Sequence, residues 1–111
     1  MTPQRFHNLF IVYLDEYRVH LSQVKSTGST THHISIVHEF LDYLYNHHFV
    51  GSVDQITVSM CCSRFMAYYK KRNKEVVSKE MMKKIIGSYF LFLDGKYRIR
   101  NEKLMNGLKK K

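Results

Sequence analysis

Ser78-Lys79-Glu80-Met81-Met82-Lys83-Lys84-Ile85-Ile86-Gly87-Ser88-Tyr89-Phe90-Leu91-Phe92-Leu93-Asp94-Gly95 reads as one long helix. Met81, Met82, Ile85, Ile86, Tyr89, Phe90 and Leu93 recur at helical spacing, the pattern of a helix that buries one face. Ser78 stands where an N-cap hydroxyl accepts from the first free N–H groups, and Asp94-Gly95 predicts the end. Lys79, Lys83 and Lys84 fall on another side. Gly87 extends the Lys79–Lys83 ridge. A glycine inside a helix costs about 1 kcal/mol against alanine, so it predicts close approach of another helix or of DNA.

Working outward, three more helices are predicted. Thr2-Pro3 starts the first, with proline at the position where its missing N–H costs nothing. Its stripe is Phe6, Leu9, Phe10, Tyr13, Tyr17, Leu21 and Val24, and Gly28 supplies a left-handed end. Ser29 or Thr30 caps the second helix, whose stripe is Ile34, Val37, Phe40, Leu41, Leu44 and Tyr45. Thr57 caps the third, with Val58, Cys61, Cys62, Phe65, Tyr68 and Tyr69 inward and Lys70, Lys71 and Arg72 at its C-terminal end, where cations suit the helix dipole. Residues 96–111 read as a basic exit segment. The expectation is an all-α chain: a compact four-helix bundle in one domain over residues 1–100, with a linker from 101 to 111.

The formal net charge is +9, and it is unevenly spread. Residues 1–63 carry three Lys/Arg against five Asp/Glu, whereas residues 64–111 carry 15 against four, a net of +11. A region this basic predicts a polyanionic partner. The bland alternative is a solvated lysine face. No apolar run approaches the roughly 18 residues a membrane span needs, and no signal-peptide pattern opens the chain. A cytoplasmic protein with no membrane partner is expected.

Other constellations favour packing over chemistry. Cys61 and Cys62 are neighbours in an apolar stripe, which predicts two core thiols and no disulfide. The seven histidines include two adjacent pairs, His32-His33 and His47-His48, without the i,i+4 spacing and supporting acid of a helical zinc site. Tyr68-Tyr69 beside Lys70-Lys71-Arg72 would suit base stacking, or one Tyr is core with its hydroxyl at the surface. There is no phosphate-cradling glycine loop, carboxylate pair or nucleophile–base order, so no catalysis, metal or cofactor is expected of this chain. Lys79, Lys83 and Lys84, with the basic stretch from Lys70 to Lys74 and a helix N-terminus between, form the strongest candidate for gripping phosphate.

The order Gly28-Ser29-x-x-His32-x-Ile34, Phe40-Leu41-x-Tyr43-Leu44, Val53-x-Gln55-Ile56-Thr57, Phe65-x-x-Tyr68, and Ser88-Tyr89-Phe90-x-Phe92-Leu93 resembles the N-terminal core-binding domain of tyrosine recombinases, the phage-integrase class. The likeness spans about residues 8–105. Asn101-Glu102 stands where that family usually has Asn-Pro, and His32 or His33 where it often has Thr. The resemblance implies a SAM-like helical fold that binds duplex DNA for integration and recombination as half of a C-shaped clamp. The catalytic domain would lie in a longer parent protein, through which other recombinase protomers would meet. The isolated domain would be a monomer.

Carried over, the contact residues would be Ser29, Thr30, Thr31, His32 and His33 on helix two, and Ser78, Lys79, Met82, Lys83 and Lys84 on helix four. Lys70, Lys71, Arg72 and Lys74 would grip nearby phosphates, and Arg98, Arg100 and Lys103 would follow the backbone. Two other readings stay open: a helical adaptor whose basic face meets an acidic protein partner, and an RNA-binding helical domain.

Overall fold

A computed structural model describes residues 2–24, 27–73 and 77–109, apart from the side chains of Thr27, Ser29 and Lys109. Among the described residues there are five α-helices and no strand. No helix is long and apolar enough to cross a membrane. The chain divides into two compact units, Met1–Gly51 and Ser52–Lys111.

The first unit is a pair of helices. α1 (Pro3–Ser22) starts as its sequence predicts, with Thr2 Oγ1 accepting from the Arg5 N–H at 3.2 Å and Pro3 in the first turn. Phe6, Phe10, Leu14, Tyr17 and Leu21 are its buried residues. Leu14 joins them although it lay outside the predicted stripe, whereas Val24 is exposed. α2 (Thr27–Tyr43) begins earlier than predicted. Gly28 lies inside it, and no described glycine has a positive φ, so the left-handed end predicted at Gly28 is not formed. A π-helical turn, Leu44–His48, prolongs α2, and Phe49 closes it in the left-handed conformation (φ 49°, ψ 45°). α1 packs along α2. The two run antiparallel, since His7 near the start of α1 bonds Asp42 near the end of α2: His7 Nε2 lies 2.7 Å from Asp42 Oδ1, and His38 Nδ1 lies 3.3 Å from Asp42 Oδ2.

The second unit opens with a 3₁₀ turn, Val53–Gln55. Thr57 Oγ1 then accepts from the Met60 N–H at 3.2 Å, the predicted cap. A π-helical turn, Met60–Arg64, leads into α3 (Phe65–Asn73). α4 (Lys79–Tyr97) is capped by Ser78 Oγ, which accepts from the Met81 N–H at 3.1 Å. It buries Met82, Ile85, Ile86, Tyr89, Phe90 and Leu93. α4 does not stop at Asp94-Gly95. It runs on to Tyr97, and Arg98 closes it at φ 57°, a left-handed residue whose N–H returns to Asp94 O.

The expected four helices become five because the exit segment folds. α5 (Glu102–Lys109) packs on α4 and buries Leu104, Met105 and Leu108. Asn101 secures its start. Its Oδ1 accepts from the Leu104 N–H at 3.1 Å, while Nδ2 donates to Val53 O at 2.8 Å and Ile56 O at 3.0 Å. At Gly107 α5 lies close against Val58, since a Cβ there would collide with the Val58 side chain.

Candidate nucleic-acid interface

The candidates divide between the two units. In the second, 15 Lys/Arg stand against five Asp/Glu over residues 52–111. Lys70, Lys71 and Arg72 form the exposed end of α3, and Lys79 and Lys84 are exposed on the first turns of α4. Among the described residues, no carboxylate pairs with Lys70, Lys71, Lys79 or Lys84. Lys83 is half-buried. Burial raises the Cys62 thiol above its ordinary value and outweighs the opposing pull of Lys83 and Lys79. Burial holds Cys61 well above it, with Cys62 adding to the effect. Both thiols are free and buried, so they are core groups rather than nucleophiles.

Arg72 is partly engaged: its Nη1 donates to Tyr68 Oη at 3.0 Å, and its guanidinium sits 5.5 Å from that ring's centre. Tyr69 is buried, so of this pair only the half-buried Tyr68 reaches the surface. Arg98 and Lys103 are exposed. Arg100 lies between carboxylates, 3.6 Å from Glu102 and 4.0 Å from Asp94. Lys74 lies outside the described residues.

Two expected contacts are corrected. Met82 is 0% exposed. It belongs to the apolar stripe of α4, and a side chain packed there is closed to a groove of DNA. Thr30 is 5% exposed. Because α2 begins at Thr27, Thr30 lies within the helix rather than at its cap, and its hydroxyl has no hydrogen-bond partner among the described residues.

Of the remaining first-unit candidates, Thr31 and His32 are exposed and His33 is half-buried, while the side chain of Ser29 lies outside the description. Thr30 and Thr31 line a groove of about 370 Å³ between α1 and α2 with Arg18, Ser22, Ser35 and His38. Arg18 is held there by Asp15 at 2.8 Å. The His7–Asp42–His38 cluster was not anticipated. The i,i+4 spacing of His38 and Asp42 was its one local signal. No three His, Cys, Asp or Glu side chains among the described residues are placed to hold a metal ion.

Compared with known proteins, the chain matches no family model, no curated protein and no solved structure.

Proposed function

We propose that the chain is a duplex-DNA-binding domain of the kind that tyrosine recombinases use to hold their core sites. It has no catalysis of its own and works as half of a clamp whose other half lies in a longer protein. The observation that carries this reading is the set of exposed cations, Lys70 and Lys71 at the end of α3 and Lys79 and Lys84 at the start of α4, that have no carboxylate partner among the described residues of a strongly basic unit. Lysines beside a helix N-terminus suit phosphate, because the first N–H groups and the dipole add to their charge. Contacts of this kind position a protein on DNA and make its affinity depend on salt. The sequence likeness adds helix two and the recombinase setting. The exposed Thr31 and His32 supply groups able to meet base edges.

The test is a salt titration of binding to a duplex, with the triple change Lys79→Ala, Lys83→Ala and Lys84→Ala. The wild-type chain should lose affinity log-linearly with salt, and each phosphate-bound lysine removed should flatten the slope by about 1. Unchanged affinity and slope in a folded triple variant would reject the assignment of α4. Hairpin RNA at equal salt forms the second arm, and tighter binding to it would replace DNA by RNA.

A further inference from the structure

α4 and α5 leave an apolar groove beside the lysines. Its volume is about 160 Å³. Gly87, Met105 and Leu108 form its floor and Leu91 an exposed wall, Lys83 and Lys84 flank one end, and no carboxylate among the described residues lines it. Leu91 is 52% exposed, an unusual position for a leucine beside buried Met105 and Leu108.

Gly87 shows that the groove is not a by-product of tight helix packing. A Cβ there would meet only Leu108, at 3.8 and 4.0 Å, which is ordinary contact. α5 would therefore tolerate alanine at this position, and alanine would favour the helix by about 1 kcal/mol. The glycine instead leaves the floor of the groove open.

We infer that this groove docks an amphipathic acidic helix of a partner protein. Two chemistries meet in it. The apolar floor calls for apolar side chains, whereas DNA-reading surfaces are more polar and more basic than protein–protein ones. The flanking lysines call for carboxylates. From Lys83 to Leu91 the groove follows α4 for about 12 Å at 1.5 Å per residue. That length matches about two turns of a helix laying apolar residues at i, i+3 or i+4, and i+7 into a groove, with acids along its edge. Lys83 and Lys84 also belong to the proposed DNA face, so such a partner and DNA would compete for them. The docking itself does not depend on DNA binding.

The experiment uses the full chain and a fluorescein-labelled peptide of about 15 residues, with leucines at that spacing and glutamates on the flanks. A scrambled peptide of the same composition is the control. The patterned peptide should bind at least tenfold tighter than the scrambled one. Gly87→Leu, which fills the floor, and Leu91→Ala, which removes its exposed wall, should each weaken it at least fivefold without loss of helical circular dichroism. The peptide should shift NMR signals of Gly87, Leu91 and Leu108. Equal binding of the two peptides, or indifference to both substitutions, would overturn the proposal. Should Gly87→Leu and Leu91→Ala weaken duplex DNA and leave the peptide unaffected, the groove would belong to DNA and the proposal would fall.

Discussion

Alanine at Gly107 and alanine at Gly87 should act in opposite directions, although both glycines lie inside helices of the second unit. Helix propensity favours alanine at each by about 1 kcal/mol. The difference is the space available. At Gly87 the new methyl meets Leu108 at ordinary contact distances. At Gly107 it would overlap Val58 Cγ2 and stand 3.4 Å from Val58 Cβ. Val58 is β-branched and helical, so one side-chain rotamer is strongly preferred and it does not readily swing aside. α5 must shift instead, and overpacking of this kind costs about 1–3 kcal/mol. Gly87→Ala should therefore stabilise by up to about 1 kcal/mol. Gly107→Ala should destabilise by about 1 kcal/mol once its propensity gain is subtracted, lowering the melting temperature by about 4 °C or more. Removing the collision partner reverses the sign: in a Val58→Ala background, Gly107→Ala should become stabilising. Urea and thermal melts of the four proteins, followed by circular dichroism, give the coupling between the two sites directly. A coupling near zero would refute the close approach of α5 to Val58, and with it the reading of α5 as part of the folded unit.

Met82→Ala should cost about 2–5 kcal/mol of stability by opening a cavity while leaving the salt dependence of DNA binding unchanged, as filter binding and urea melts would show. Asn101→Ala removes three hydrogen bonds, two of them to carbonyls of the 53–56 turn, and should lower stability by about 2–3 kcal/mol by urea melt. Asp42→Ala unties His7 and His38 from each other across α1 and α2 and should cost about 1 kcal/mol in the same assay. The buried thiols predict alkaline weakening. Burial keeps Cys61 protonated in the folded chain, whereas the unfolded chain releases that proton near pH 8.5, so stability present below that pH is lost as pH rises above it. The urea midpoint should fall between about pH 7.5 and pH 9.5, and fall less steeply in Cys61→Ala.

Much of this fold was legible because its signals are local. Thr2, Thr57 and Ser78 are caps that each bond the N–H three residues ahead, and the stripe of α4 repeats over about three turns. α5 was hidden because it is eight residues long, contains Gly107, and lies among lysines. Packing on α4 is what makes its Leu104, Met105 and Leu108 a buried face. The end of α4 was misplaced because Arg98 takes the left-handed conformation usually left to glycine. For the candidate site, the lysines were readable as exposed cations from their place opposite the stripe. Met82 illustrates a conflict between two readings: periodicity placed it inward, family likeness placed it on DNA, and packing decided for periodicity. The His7–Asp42 bond spans 35 residues, beyond any local pattern.

The side chain of Asn101 has a consequence in time. It holds carbonyls 48 and 45 residues upstream, so the turn at 53–56 acquires these partners only after most of the second unit has been synthesised. At about 5–20 residues per second the delay is roughly 2–10 s, far longer than a helix takes to form. α4 ends at Tyr97 and α5 at Lys109, 12 residues later, so for roughly 0.6–2.4 s α4 is complete with no α5 to cover it, and its uncovered apolar flank is what a chaperone or a neighbouring nascent chain would meet first.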